Sequence, residues 1–290
     1  MADSGHGGNG MRAFYRLVKR IIPRNRFGDR LLGLAYFVVK QRRLPTRQPL
    51  FNDVLYRIKT TEEILDPLRV FVSDKEFVKL YVKAVAGEEY NVPTYAVLRT
   101  PNEIDAYDFP TECCIKPTHA SGAYLFRHGG EPIDRDEIKR WFSLDHYKAT
   151  REANYRRLVP KVIVEPLLSQ DGGLLDYRFF CVDGKAKFIT VDSGWTTSKR
   201  SRQLFDAGWN RQSYSLGYPP GTGVQERPAN FATMKEVAEK LAAGFTFIRV
   251  DFYSDGQTCM VGELTNCHAN AGGRFIPPEA EREASRLLFG

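Results

Sequence analysis

The sequence predicts an α+β protein in which capped helices and antiparallel hairpins follow one another along the chain. Residues 73–76 (SDKE) are predicted to form a capping box, and the helix that it would start is predicted to end at Gly87. Two strand-like runs meet at Asp183-Gly184, a dipeptide typical of a tight hairpin turn. A second hairpin is predicted within residues 245–273, because Asp255-Gly256 separates two further β-rich runs.

Composition excludes several classes of protein. The 290 residues are 42% hydrophobic and 27% charged, as in a water-soluble globular protein with a substantial core. The formal charge of +7 is concentrated in residues 12–47, where eleven Lys or Arg stand against a single acid, Asp29. The remainder is close to neutral, which argues against nucleic-acid binding. Five scattered cysteines without paired spacing favour reduced thiols and a cytoplasmic location.

Three segments are predicted from these patterns. Residues 1–10 are expected to be a disordered tail, residues 11–70 a basic helical extension, and residues 71–290 the main domain. The apolar run at residues 31–39 is nine residues long, too short to span a membrane. Two interpretations of the extension remain open: residues 11–47 lie on an anionic membrane surface at the inner face of the membrane, or the extension docks on the main domain.

The central hairpin, residues 245–273, places charges in strands that otherwise suit a core. Arg249 and Asp251 share one face of its first strand, and Glu263 lies on the second. Buried charges are costly unless they meet opposite charges. Two carboxylates beside an arginine predict a site for a divalent metal and a phosphate. The alternative is a surface hairpin with ordinary ion pairs.

The metal interpretation depends on the register of this hairpin. A two-residue turn would place Glu263 on the face opposite to Asp251, so an odd-length loop or a β-bulge is required. With a three-residue loop centred on Gly256, Glu263 would lie across from Arg249 and Val261 across from Asp251. Glu263 and Asp251 would then be diagonal neighbours.

Weaker motifs lie elsewhere in the chain. The first motif is a set of lysines with a loop of small residues, which suits phosphate binding. The second is a strand that ends in a carboxylate and can offer its edge to a flat heterocycle. The third is a hairpin that carries an acid and a lysine. These features are Lys75 and Lys79 on one helix, Lys116 with the loop containing Ser121 and Gly122, Glu165 with Leu167 and Leu168, and Asp176 with Lys187. Residues 193–227 lack a sustained period and are expected to form a long loop.

The order of these motifs resembles that of the ATP-grasp ligases, and within them the TupA-like family linked to teichuronopeptide and other polysaccharide biosynthesis. The similarity covers roughly residues 51–273, and its most specific pieces are SDKEFVKLYV, IKPTHASG, KVIVEPLL, DYRFFC, RVDFY and GELT. The resemblance implies an ATP-grasp fold, in which two α+β subdomains clamp the nucleotide. It also implies a lid-type subdomain at about residues 112–168 and a metal-binding hairpin at residues 245–273.

The resemblance further implies roles for the individual residues, with ATP and Mg²⁺ as cofactors. Arg249 steadies the reacting oxyanion, and Asp251 and Glu263 are metal ligands, with either Thr265 or Asn266 completing the metal shell. The implied nucleotide-binding residues are Lys75, Lys79, Lys116 and Lys187 for the phosphates, Ser121 and Gly122 in the loop that closes over them, Glu165, Leu167 and Leu168 for adenine, and Asp176 for ribose.

The expected function is an ATP-dependent ligase that joins a carboxylate to an amine through an acyl phosphate. The acid is expected to be a sugar acid, an amino acid or a glycan-linked acid. One alternative is a glycosyltransferase or phosphotransferase of polysaccharide biosynthesis that uses the same nucleotide fold. Another is a membrane-surface glycan-assembly factor with a vestigial site.

Overall fold

A computed structural model describes residue 19 and residues 21–168, 174–193 and 201–290, so the predicted tail at residues 1–10 lies outside the described residues. The α-helices are α1 (Arg26–Gln41), α2 (Phe51–Thr60), α3 (Pro67–Phe71), α4 (Phe77–Val85), α5 (Pro101–Ala106), α6 (Arg135–Trp141), α7 (His146–Thr150), α8 (Phe231–Ala242) and α9 (Ala280–Phe289). The strands are β1 (Ala96–Leu98), β2 (Cys113–Pro117), β3 (Leu125–Arg127), β4 (Val162–Glu165), β5 (Leu175–Val182), β6 (Lys185–Ser193), β7 (Ser201–Asp206), β8 (Ser215–Leu216), β9 (Phe247–Ser254), β10 (Cys259–Thr265) and β11 (Phe275–Ile276). Short 3₁₀ helices span Glu62–Leu65, Glu88–Tyr90, Ala153–Tyr155 and His268–Ala271.

A four-stranded antiparallel sheet in the order β1-β4-β2-β3 forms the smaller of the two main layers. Alternate residues of β2 point to opposite faces, so Cys113 and Ile115 join the core under α6 while Cys114 and Lys116 face the other way. This sheet contains the strands of the predicted lid and is extended upstream by β1.

The larger sheet has five antiparallel strands in the order β10-β9-β5-β6-β7. One face is apolar and packs on α8, through side chains such as Phe179, Val250 and Phe252. Burying such side chains stabilises the fold by about 1.5–3 kcal/mol each. The opposite face has a phenylalanine cluster under α2 and α9 at one end and a group of charges at the other.

The predicted long loop at residues 193–227 is wrong in part, because β7 and β8 lie within it. Residues 201–206 form the edge strand of the larger sheet, and residues 215–216 pair with β11. The mixture of Gly, Ser, Arg, Trp and Pro in this stretch conceals the two-residue period of β7, since tertiary pairing with β6 rather than local pattern holds it in place.

The central hairpin has the register shift that the metal interpretation requires, but not the predicted loop. Four residues, 255–258, connect β9 and β10, and Val261 pairs with Phe252. A bulge at Gly262 shifts the register, so Glu263 lies directly across from Asp251. The three-residue loop and its pairing of Glu263 with Arg249 are therefore wrong, and the β-bulge alternative is right.

The basic N-terminal segment packs on the rest of the chain. Leu32 and Phe37 of α1 are buried, and so is Asp29, whose carboxylate accepts a hydrogen bond from Tyr147 at 2.8 Å and lies 3.3 Å from Arg151. The docking interpretation of this segment is what the structure shows for α1. Within the described residues, no helix has the length and hydropathy needed to cross a bilayer.

Candidate functional site

A carboxylate held between two lysines lies on the inner face of the four-stranded sheet. Glu165 ends β4, and its carboxylate oxygens lie 2.7 Å from Lys79 Nζ and 2.5 Å from Lys116 Nζ. The antiparallel register of β2 and β4 pairs Cys114 with Glu165 and brings Lys116 to the same face, while α4 supplies Lys79. Three predicted site residues from separate parts of the chain are thereby brought together.

Burial and charge act against each other in this cluster. Burial raises the pKa of Glu165, but the attraction of Lys116 and Lys79 outweighs it and the net pKa is lowered. For Lys116, burial alone would lower the pKa, but the attraction of Glu165 outweighs this effect and the net pKa is raised. Burial dominates for Lys79 and lowers its pKa. The site therefore holds fixed positive charges that phosphate oxygens would match once Glu165 releases them.

Lys75 and the loop at residues 118–122 line the same region. The Lys75 Nζ atom donates to the carbonyl of Ala120 at 2.5 Å, and burial lowers the Lys75 pKa. The Ser121 N–H donates a long hydrogen bond of 3.4 Å to His146 Nδ1. Gly122 has a φ of +85°, a left-handed conformation that favours glycine. The predicted phosphate loop thus lies beside Lys75.

The second group of charges occupies the five-stranded sheet. Arg249 donates two hydrogen bonds of 2.6 Å to the Asp251 carboxylate, one of 2.6 Å to His268 Nδ1 and one of 2.9 Å to Thr265 Oγ1. Burial, with a smaller effect from nearby Arg249, lowers the pKa of His268 well below its usual range. Its neutral ring accepts at Nδ1 and carries its proton on Nε2.

Arg178, Asp192 and Arg202, which the sequence analysis did not single out, extend this charged face. Arg178 lies 2.6 Å from Asp176, 3.1 Å from Asp192 and 3.6 Å from Asp251. Arg202 donates a hydrogen bond of 2.6 Å to Asp192 Oδ2, the oxygen that Arg178 also contacts. The alternation in DYRFFC places Asp176 and Arg178 on one face and could have indicated Arg178, whereas Arg202 lies in the stretch predicted to be a loop.

The environment of Asp176 suits a group that binds hydroxyls. Burial, together with repulsion from Asp251 and Asp192, outweighs the attraction of Arg178 and raises the Asp176 pKa to about 6. One of its oxygens, Oδ1, is buried and has no hydrogen-bond partner among the described residues. That oxygen is available to a ligand such as the ribose expected here.

The two groups of charges face each other. Burial raises the pKa of Tyr253 on β9, and its hydroxyl is close enough to Lys116, Asp176 and Glu165 to interact with each of them electrostatically. Lys75 likewise interacts with Glu263 across the gap between the sheets. The region between Lys116 and the β9–β10 hairpin is therefore one site built by both sheets.

The remaining predicted residues are placed differently. Asn266 is buried, and its amide bonds to Arg69 and Ser73 rather than to the charged group. Lys187 lies where the register of β5 and β6 shifts, and within the described part of the chain it makes no ion pair or hydrogen bond with the site. Leu167 and Leu168 follow β4 after Pro166 and are half-buried.

The donor set fits a magnesium ion that shares its ligands with phosphate. Over the described residues there is no cluster of three His, Cys, Asp or Glu side chains that could enclose a metal. Mg²⁺, however, binds through one or two carboxylates together with phosphate oxygens and water. Asp251 and Glu263 are paired across the hairpin, and the Glu263 carboxylate has no ion-pair or hydrogen-bond partner in the described ranges. These two residues would hold the ion.

Comparison with known proteins shows the family of this chain through one match. A model of the TupA-like ATP-grasp family matches residues 55–287. No curated protein matches the sequence. Similar solved structures are a D-alanine–D-alanine ligase from Bacillus anthracis (16% identity, TM-score 0.44, covering 76% of this chain and 64% of that chain) and an L-amino acid ligase from Bacillus licheniformis (14%, 0.44, 77% and 51%). A third is the ATP-grasp ligase PsnB complexed with minimal precursor, Mg and ADP (13%, 0.41, 81% and 66%).

The chain spans between 51% and 66% of the length of these three chains. The family model, in contrast, covers most of the present chain and includes both groups of charges described above. The predicted ATP-grasp fold and family are confirmed. This chain belongs to the TupA-like ATP-grasp family.

Proposed function

We propose that this protein is an ATP-dependent carboxylate–amine ligase that forms an amide through an acyl phosphate. The observation that carries the proposal is the pair of facing charge groups. Lys79 and Lys116 surround Glu165 on one sheet, and Arg249 and Asp251 lie across from them with Glu263. Positive charges fixed before the reaction, opposite two carboxylates that suit a metal, are what phosphoryl transfer needs.

The proposed mechanism begins when ATP separates Glu165 from its lysines. Lys116 and Lys79 then contact phosphate oxygens in place of the Glu165 carboxylate, and Lys75 contributes a third positive charge. Asp251 and Glu263 would hold magnesium, which supplies neutralisation of the charge that develops on the phosphates. The Asp176 carboxyl group would bind ribose, and the edge of β4 at Glu165, Leu167 and Leu168 would contact adenine.

Arg249 would stabilise the reacting oxyanion. His268 and Thr265 fix its guanidinium from two sides, so little reorganisation is needed during the reaction. The substrate carboxylate attacks the γ-phosphorus of ATP, the bond from phosphorus to the bridging oxygen breaks, and ADP leaves. The resulting acyl phosphate is an electrophile that an amine attacks, releasing phosphate.

The finer parts of the proposal concern substrates and setting. The acid would be a sugar acid, an amino acid or a glycan-linked acid, and the amide would belong to polysaccharide biosynthesis in the cytoplasm. The family match supports the ATP-grasp assignment on which these finer parts build. The basic residues of the N-terminal segment would provide a peripheral contact with the inner face of an anionic membrane.

A screen of ADP release against pairs of acids and amines, with products identified by mass spectrometry, tests this function. The purified protein should release ADP only with an acid present, and the product should contain a new amide. Asp251→Ala and Glu263→Ala should each abolish ADP release. Glu263→Ala should do so with little change in melting temperature, whereas Asp251→Ala leaves the buried Arg249 without its carboxylate and should also lower the melting temperature. Full turnover by either variant, or a phosphorylated or glycosylated product without an amide, would contradict the proposal.

A further inference from the structure

A cleft of about 290 Å³ opens beside the phosphate loop, outside the site described above. Its walls come from three parts of the chain: Arg24 of the N-terminal segment, His119 of the phosphate loop, and the stretch that contains His146, Tyr155 and Arg156. Its volume is at the lower end of the range for small-molecule sites.

The cleft adjoins the reaction centre through Tyr155. The ring of Tyr155 packs on that of His146, with centroids 4.3 Å apart. Its hydroxyl is close enough to Glu263 and Arg249 to interact with both electrostatically. A molecule in the cleft would therefore lie close to the reacting carboxyl group.

Charge and hydrogen-bonding capacity indicate what the cleft binds. Arg156 is exposed and makes no ion pair within the described ranges, while Arg24 has a weak partner in Asp145 at 3.5 Å. Burial lowers the pKa of His119, whose ring nitrogens are themselves buried and lie near the backbone of Lys161 and Trp141. The lining thus offers two guanidinium groups for an anion beside a neutral imidazole.

His146 supplies a group that can accept a proton. Its Nε2 atom lies 3.6 Å from the Glu152 carboxylate, and its Nδ1 lone pair accepts the long hydrogen bond from the Ser121 N–H. A carboxylate next to Nε2 favours the tautomer with the proton on that nitrogen and leaves the lone pair on Nδ1, which can take a proton once the long Ser121 contact opens. An amine that attacks a carbonyl must lose a proton, and Nδ1 would receive it.

We infer that this cleft binds the attacking amine, and that the amine is an amino acid or a peptide end carrying its own carboxylate. Arg24 and Arg156 bind that carboxylate and His146 takes the proton. The neutral amine forms the C–N bond, the C–O bond to phosphate breaks, phosphate leaves with the electron pair, and the nitrogen's proton passes to Nδ1. The inference rests on the proposed ligase function and adds that the N-terminal segment completes the acceptor site.

Hydroxylamine separates this inference from the function on which it rests. This small, neutral nucleophile traps an acyl phosphate as a hydroxamate without needing a carboxylate-binding site. Wild-type protein is first given Mg-ATP, hydroxylamine and a panel of amino acids and uronic acids. Absence of any hydroxamate would contradict the ligase function, and the inference would fall with it.

Acceptor pairs then test the cleft, using the acid that gives hydroxamate. Amino acids are compared with their carboxamides, glycine with glycinamide among them. Wild type should have a lower KM for the amino acid than for its carboxamide. Arg156→Gln should raise the KM for the amino acid about tenfold and change the KM for the carboxamide little. Arg157→Gln, the same change at an exposed neighbour outside the cleft, should leave both values unchanged.

His146→Gln tests the proton acceptor. Its kcat for amide formation should fall about 100-fold, and more than its rate of hydroxamate formation, because the less basic nitrogen of hydroxylamine loses its proton to water more readily after attack and depends less on a general base. Two results would overturn the inference: carboxamides reacting as well as amino acids, or Arg156→Gln behaving like Arg157→Gln. Equal losses of amide and hydroxamate formation in His146→Gln would also contradict it.

Discussion

Glu165 illustrates how a single residue joins stability and function in this protein. Its carboxylate is almost fully buried and contacts two lysines that come from different elements. Removing one member of such a group leaves uncompensated buried charge, which costs more than the interaction itself contributes. The same carboxylate occupies the lysines that are proposed to bind ATP. The residue therefore stabilises the nucleotide-free protein and competes with the nucleotide.

Glu165→Gln should destabilise the protein by about 3–5 kcal/mol at pH 7, because two buried lysines lose their counter-charge. Mg-ATP should raise the melting temperature of the variant more than that of wild type, since its phosphates replace the missing charge. Urea unfolding and thermal shifts measure both effects. Glu226→Gln, an exposed glutamate, is the matched control and should change neither. A Glu165→Gln protein as stable as the control would contradict the assigned role.

The pH dependence of stability follows from the same residue. Because the folded pKa of Glu165 is below its unfolded value of about 4.3, its pairing is fully present above that value and is lost as pH falls through the folded pKa. Wild type should therefore lose stability on acidification below about pH 4.3, and Glu165→Gln should lose less. Urea unfolding at a series of pH values makes the comparison. Parallel curves for the two proteins would argue against the lowered pKa.

At the scale of elements, the β9–β10 hairpin shows what sequence can and cannot predict. The two-residue period placed Arg249 and Asp251 on one face correctly, because that depends only on strand geometry. The register was not predictable, since it depends on a bulge at Gly262 that packs under the ring of Tyr253. The position of Glu263 across from Asp251 comes from this tertiary contact rather than from local pattern.

Gly262→Ala should weaken Mg-ATP binding about tenfold or more, since overpacking costs about 1–3 kcal/mol. An added Cβ would lie 2.7 Å from Cε2 of Tyr253, so the tyrosine ring that faces Lys116 and Asp176 must move. Titration calorimetry measures the affinity. Gly223→Ala, where a Cβ meets nothing within 4 Å, should bind as wild type does. Equal affinities in the two variants would show that the bulge does not position the site.

Other parts of the site escaped prediction for similar reasons. Three sequence motifs contain Glu165, Lys79 and Lys116. Their contact was not predictable from the sequence, because it joins β4, α4 and β2 in the folded protein. Arg202 was missed because its strand lies in a stretch without period, held by pairing to β6. His268 follows the predicted hairpin strands and gave no signal apart from its place after GELT.

At the scale of the whole molecule, the N-terminal segment is part of the body rather than a separate tail. Its net charge predicted only that the segment needs an anionic partner. The contact that anchors the segment to the body is instead a buried one. Asp29, its one acid, meets Arg151 and Tyr147 beside the proposed acceptor cleft. The backbone carbonyls of Pro23 and Ile22 also accept hydrogen bonds from Arg151. The segment thus holds Arg24 near the cleft.

Asp29→Ala should lower the free energy of unfolding by about 3–5 kcal/mol, because Arg151 is left buried without its carboxylate. Limited proteolysis should then cut the segment at residues 19–25 faster than in wild type. Asp108→Ala, an exposed acid without an ion pair among the described residues, is the control. If Asp29→Ala had the same free energy of unfolding and the same cleavage rate as the control, the segment would not be an integral part of the fold.

Asp251 and Glu263, facing Lys116 and Lys79, are proposed to form one site for magnesium and the phosphates of ATP. Titration calorimetry tests this site with a non-hydrolysable ATP analogue, in the presence and absence of Mg²⁺, on wild type, Asp251→Asn and Glu263→Gln. Wild type should bind the analogue more tightly with Mg²⁺, and each substitution should remove this dependence while the protein stays folded. Binding that is equally tight in all three proteins, whether or not Mg²⁺ is present, would contradict it.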